Sequence, residues 1–311
     1  MQAGVTVERT TMAAAGQTFQ EERGGISAFL AGASLELSSR DPAEVDACVG
    51  LLEPGTPVYV SFPPGQTYHG TVALAARLAR AGFRPVPHVA ARRIAGPEAL
   101  DDYLARAAGE AGVDSALVIA GDGDRASGAF DSSLALLETG LFQRHGIVRI
   151  GIAGYPEGHP KIAASALDAA LAAKKNFARR SGIELRVVTQ FCFDADSILS
   201  WAGRMKGHGL PVHVGLAGPA SLPRLLRFAA MCGVGNSVRA LKARPGALTR
   251  LMVEAGPEVA LRGLARRAEP PLVGAHFFCF GGLVRTARWL RAIRDGRFEL
   301  SEDGGFRVGA V

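Results

Sequence analysis

Long apolar runs are what this chain lacks first. Nowhere in its 311 residues does a stretch approach eighteen consecutive apolar side chains, so no membrane-spanning helix and no membrane partner are expected. Cysteine is scarce as well. The four present, Cys48, Cys192, Cys232 and Cys279, lie far apart with no C-x-x-C pair, and three sit in apolar stretches. That excludes a zinc ribbon or a disulfide framework and predicts buried free thiols in a reducing, cytoplasmic setting. No serine occupies a G-x-S-x-G elbow, and His88 and His159 have no cysteine or paired carboxylate at ligand spacing, so neither a nucleophilic triad nor a metal site is supported. Concentrated charge is missing too. The net charge of +6 is spread over many segments, which suits solubility and an anionic ligand but not nucleic acid.

What is present is a regular alternation. Short β-type runs occur at Ser34–Leu37, Val58–Phe62, Arg84–His88, Ser115–Ala120, Ile147–Ala153, Arg186–Phe191, Val212–Leu216 and Ala275–Phe280. Between them lie helical patterns such as Thr71–Ala81, Pro97–Ala111, Ala163–Arg180, Ser197–Lys206 and Ser221–Met231, with start signals at Ser197 and at Ser221 before Pro223. Eight βα units in about 250 residues predict a closed (β/α)8 TIM barrel, an α/β fold, with a doubly wound sheet as the alternative. The gap of about 58 residues between Leu216 and Ala275 predicts extra helices between strands seven and eight. Residues 1–25, which carry charges but no apolar signal core, read as a flexible cytoplasmic leader, and 26–311 as a single barrel domain. The alanine-rich outer helices suit a homo-oligomer contact and packing on the barrel equally well.

In such a barrel the carboxyl ends of the strands build the active site. The polar residues falling there are Glu36, Ser61, His88, Gly121-Asp122, the turn Tyr155-Pro-Glu-Gly-His159 and Gln190. Each has a bland reading: Glu36 as an interior ion-pair partner, His88 as a hydrogen-bonded core histidine, Gly121-Asp122 as a plain turn, Gln190 as the cap of a barrel layer. Their recurrence at one end of successive strands favours a site. Carboxylates, histidines, a tyrosine and a glutamine suit a bound organic cofactor and proton transfer.

Leu35-Glu36-Leu37, Pro87-His88, Gly121-Asp122, Tyr155-Pro156-Glu157 with His159-Pro160, Asp168 with Lys174-Lys175, and Thr189-Gln190-Phe191-Cys192-Phe193-Asp194 stand in one order over roughly residues 30 to 285. Together they resemble the methylenetetrahydrofolate reductase family, flavin-dependent barrels of one-carbon metabolism and methionine biosynthesis. The resemblance implies interconversion of 5,10-methylene- and 5-methyltetrahydrofolate, with FAD as cofactor and NADH or NADPH (NAD(P)H) as co-substrate. Glu36 would then be the general acid, held protonated by burial, and Asp122 would lie near the flavin and the cationic pterin. Gln190, Leu222 and Arg285 would face the folate. Ser61, His88, Gly121, Phe130, Ala153, Tyr155, His159, Asp168, Lys174 and Lys175 would contact the flavin or its phosphates.

The chain departs from the family pattern at several places. Ala120 replaces an arginine, Phe130 a tyrosine, Leu171 an asparagine and Leu222 an aromatic, while Gly281-Gly282 stand where an arginine belongs, with Arg285 nearby. Ser38-Ser39 replace the prolines after strand one. These changes leave two alternatives to the flavoenzyme: a flavin-independent NADH-dependent reductase of the same fold, or a folate-binding partner subunit of a demethylation pathway.

Overall fold

The computed structural model describes residues 19–38, 42–63, 65–121, 125–232, 234 and 254–309. Eight parallel strands close into a barrel: β1 (Ser34–Ser38), β2 (Pro57–Ser61), β3 (Arg84–Ala90), β4 (Ser115–Ile119), β5 (Arg149–Gly154), β6 (Glu184–Thr189), β7 (Val212–Ala217) and β8 (Leu272–Phe278). Neighbours pair in sequence order, and β8 closes on β1 with Glu36 level with Phe278. All eight expected runs are strands, and the doubly wound alternative falls. Strand eight begins three residues earlier than its apolar run suggested, because Gly274 interrupts the apolar pattern while the pairing with β7 continues across a register shift between Leu272 and Gly274.

Helices cover the outside. They are α1 (residues 19–30), α2 (Glu44–Ala47), α3 (Tyr68–Arg80), α4 (Pro97–Ala111), α5 (Ser133–Leu137), α6 (Leu141–Arg144), α7 (Ala164–Ser181), α8 (Ala195–Met205), α9 (Leu222–Met231), α10 (Glu258–Ala265) and α11 (Leu283–Arg294). Their limits follow local chemistry. Pro97 opens α4, where a missing N–H costs nothing, and Gly112 at φ 60° closes it, in a conformation that disfavours a side chain. The start of α8 corrects an expectation. The cap is Asp194, whose carboxylate accepts from the N–H groups of Asp196 and Ser197, while Ser197 sits in the first turn.

Side chains alternate between two environments along each strand. Leu35, Leu37, Val58 and Val60 point outward and pack with Leu74 and Leu78 of α3 and Leu283 of α11. Tyr59, Val86, Leu117 and Val188 form a separate interior cluster. α7 is the exception on the outside, since only Leu171 and Ala178 are buried along its 18 residues. It stands off from the wall and leaves a cavity beneath it.

The boundary drawn at residue 25 falls inside a helix. Ile26 of α1 is fully buried, and Glu22 pairs with Arg262 at 2.9 Å and with Arg266 at 2.7 Å. Arg262, 5 % exposed, also donates to the carbonyls of Ser301 and Gly305, tying α1 and α10 to the terminal hairpin of Phe298–Leu300 and Phe306–Val308. Residues 1–18 lie outside the described residues. Of the insertion between β7 and β8, α9 and α10 are described, with a two-stranded pairing of Ala220–Ser221 and Glu254–Ala255.

Candidate functional site

Three titratable side chains meet inside the barrel below its carboxyl end. Glu36 points in from β1, His88 from β3 and His276 from β8, each two residues from another inward position. Glu36 Oε2 lies 3.4 Å from His88 Nε2 and 3.5 Å from His276 Nε2. Neither contact is a well-formed hydrogen bond, so Oε2 and both Nε2 atoms are buried without one. His276 Nδ1 lies 2.9 Å from Ser34 Oγ. Tyr59 packs edge-on against both imidazoles, with centroids 4.5 Å from His276 and 6.2 Å from His88.

The electrostatics correct the expectation of a protonated Glu36. Burial alone raises its carboxyl, but the charge of His88 and the contacts from His276 and His88 outweigh it and bring the group down to about 2. Burial lowers His276, with Glu36 opposing, so its imidazole is neutral. A neutral His276 that keeps its proton on Nε2, toward the carboxylate, accepts the Ser34 hydroxyl at Nδ1. The cluster is therefore an ionised carboxylate between two imidazoles.

The second feature is the cavity under α7, about 570 Å³ in volume. It begins at the barrel mouth with Ala120, Ala153 and Tyr155 and continues between the strands and α7, past Asp168, Leu171 and Lys174, to Trp201 and Met205 of α8. Gly154 lets Trp201 and Val187 pack close at its inner wall: a Cβ there would stand 2.6 Å from Val187 and 2.9 Å from the Trp201 ring. Lys174 has its ammonium lowered by burial, and among the described residues it has no ion-pair partner. A desolvated cation facing such a cavity suits an anion.

The turn after β5 is braced from two sides. The Gly158 N–H donates to the Tyr155 carbonyl at 3.0 Å, and Gly158 takes φ 80°. The Lys161 N–H donates to His159 Nδ1, and the Tyr155 and His159 rings meet edge-on at 5.0 Å. Cys192, after β6, donates its thiol proton to the Glu157 carboxylate at 3.2 Å. Gln190 turns its side-chain oxygen to the Phe191 N–H at 3.0 Å. The chain carrying it crosses Gly215, where a Cβ would lie 2.2 Å from the Thr189 carbonyl.

Of the residues expected at the site, Ala153, Tyr155, Asp168 and Lys174 share the cavity, while Glu36 and His88 share the interior cluster. Others are placed elsewhere. Phe130 is buried in the main core, and Leu222 lies in a core cluster with Phe191 and Phe193. Ser61 donates its hydroxyl to the Leu37 carbonyl at 3.4 Å. Gly121, at φ 87°, packs on Ala90 and accepts from Arg92 at 3.5 Å. Lys175 follows Lys174 on α7 but does not line the cavity, and Arg285 is exposed on the first turn of α11. Asp122 lies outside the described residues. Ser34, Tyr59 and His276 were missed because they sit inside the barrel rather than at strand ends, although strand alternation sets His276 on the same face as Phe278. The half-buried Phe278 and Phe280 were missed too. They stack at 5.8 Å, and Phe280 stacks on Phe228 at 4.2 Å, an aromatic wall beside β8.

The model of the family described as methylenetetrahydrofolate reductase matches residues 52–239, more than half of the chain. This chain belongs to that family. Membership makes it an oxidoreductase of folate one-carbon metabolism with the (β/α)8 barrel of the family. Among solved structures, dihydropteroate synthase from Thermus thermophilus is similar at 15% identity, with 85% of this chain and 93% of that one covered and a TM-score of 0.45. A conserved protein of unknown function from Enterococcus faecalis matches at 10% identity, with 87% and 69% covered and a TM-score of 0.45. The aldo-keto reductase Tm1743 matches at 13%, with 87% and 92% covered and a TM-score of 0.43. Similarities this slight indicate neither substrate nor activity. Among the described residues, no helix is long and apolar enough to cross a membrane, and no cluster of His, Cys, Asp and Glu could hold a metal.

Proposed function

We propose that the chain is an FAD-dependent reductase interconverting 5,10-methylene- and 5-methyltetrahydrofolate with NADH or NADPH. One observation carries the cofactor reading: the residues the family resemblance assigns to a flavin, Ala153, Tyr155, Asp168 and Lys174, come from β5, its turn and α7 to line a single cavity. Its volume lies within the ~300–1,000 Å³ usual for cofactor sites. The half-buried, partly desolvated ammonium of Lys174 suits a pyrophosphate, and Asp168 at the exposed side suits sugar hydroxyls. These residues fit the group, which when bound supplies hydride transfer between nicotinamide and folate.

The chain's own contribution is proton handling and shape. Glu36 is ionised in the free protein, so it must gain a proton before it can donate one to a folate nitrogen. His88 Nε2 lies close enough to relay one to it, while neutral His276, whose tautomer Ser34 fixes, holds the carboxylate from the other side. A polar ring arriving over the cluster meets three atoms with no hydrogen-bond partner and so is held by the groups that exchange the proton. The stacked Phe278 and Phe280 offer an apolar face for a planar ring.

An absorbance spectrum of the purified protein tests the reading. The flavoenzyme is yellow, bleaches with NADH and regains its colour with methylenetetrahydrofolate. In Glu36→Gln the bleaching persists, while the folate half-reaction slows by about 10²–10⁴-fold. A colourless protein that binds no FAD, or a Glu36→Gln variant with an undiminished folate step, would sink it.

A further inference from the structure

The amino end of the barrel carries a second polar pocket, remote from the mouth. Arg84 and Arg149 are the first residues of β3 and β5, and Arg186 is the third of β6. With Ser34, Tyr59 and His213 they line a cavity of about 40 Å³. Arg149 has a carboxylate, pairing with Asp114, and also donates to Ser115 Oγ at 3.1 Å. Arg84 and Arg186 have none among the described residues. Arg84 Nε and His213 Nδ1 are buried without a hydrogen-bond partner.

Like charges are gathered here rather than dispersed. Burial pushes the Arg84 guanidinium down, and the charges of Arg149 and Arg186 push it further. Water could satisfy the donors but would leave the charge uncompensated. The cavity has room for about three water-sized groups on a scale of ~10–15 Å³ each, the size of one tetrahedral oxyanion. Guanidinium forks match such oxygens in geometry as well as charge, and Tyr59 adds a hydroxyl donor.

We infer that the amino-terminal mouth of the barrel binds one small oxyanion of the phosphate or sulfate class, held by Arg84, Arg186 and Arg149. The site is independent of the folate and flavin reading and lies at the other end of the strands. It touches the interior cluster through Ser34, which lines the pocket and contacts His276.

Thermal unfolding of the full chain in sodium phosphate, against sodium chloride at equal ionic strength, is the test. A saturable rise of roughly 3–5 °C is expected once phosphate exceeds its Kd about a hundredfold. Arg186→Gln should lose the rise and, in chloride alone, melt no lower than the parent because a like charge has gone. Lys174→Gln, which alters the cavity under α7, should keep it. If Arg186→Gln fails to fold, Arg84→Gln takes its place with the same expectation. No rise over chloride, a rise kept without Arg186 or Arg84, or a rise lost only from Lys174→Gln would overturn the inference.

Discussion

His213 makes the acid stability of this barrel a quantitative matter. Burial lowers its imidazole first, and the charges of Arg186 and Arg84 lower it further, from 6.5 to about 4. Among the described residues the charges that act on it are cationic, and they oppose its protonation. Its pKa is depressed in the folded state. Above about pH 6.5 both states are neutral at this residue and it contributes no pH dependence. Below that the unfolded chain takes up a proton that the folded chain refuses, so stability falls with pH until about pH 4. The shift of about 2.5 units corresponds to a loss of about 3 kcal/mol across that window, at ~1.36 kcal/mol per unit. Neutral His276 acts in the same direction, and Glu36, lowered to about 2, adds its own loss only below about pH 4.5. Urea unfolding followed by circular dichroism at about pH 7.5, 5.5 and 4.5, for the parent and His213→Gln, isolates the effect. The parent should lose most of that ~3 kcal/mol relative to the variant by about pH 4.5. Curves that fall in parallel would refute the assigned burial and charge pattern.

Two further outcomes follow from single contacts. Lys174→Gln removes a half-buried cation with no ion-pair partner among the described residues, so the free protein should keep its stability while FAD binds about 10–100-fold more weakly by fluorescence titration, the worth of one charge-assisted hydrogen bond. Gly215→Ala puts a Cβ 2.2 Å from the Thr189 carbonyl. It should cost about 1–3 kcal/mol in urea unfolding and weaken folate binding by displacing Gln190, whereas Gly203→Ala, on α8 with open space around it, should cost neither.

The barrel was legible because its signal is repetitive. Eight apolar runs at βα spacing leave few topologies, and an error of three residues at β8 does not change the pairing. The site was legible only where polar residues end strands, as at His88, Tyr155 and Gln190. Ser34, Tyr59 and His276 look like ordinary strand residues, and nothing local says that β8 returns beside β1 to bring His276 to Glu36. The reverse error has the same origin. Phe130 and Leu222 stand where the family resemblance expects ligand contacts, and their apolar side chains have joined the core. Likewise the charge state of Glu36 is not a property of Leu-Glu-Leu. It depends on two imidazoles contributed from 52 residues later in the case of His88 and from the last strand in the case of His276.

Tyr59 and Ser34 connect these results. Tyr59 lies against His276 and His88 above, and it lines the arginine pocket below. Ser34 lines the same pocket and holds the Nδ1 side of His276. The barrel interior is thus a polar column, with a carboxylate and imidazoles toward the mouth and guanidinium groups at the amino end. The arginines lower the Tyr59 phenol while burial and Glu36 raise it, and burial is the largest of these, so Tyr59 remains a neutral spacer. A neutral spacer separates the two charged clusters without supplying a proton path. Among the described residues Ser34 lines the arginine pocket below and holds His276 by a hydrogen bond above, which makes Ser34→Ala the variant that should uncouple anion binding below from the His276 tautomer above.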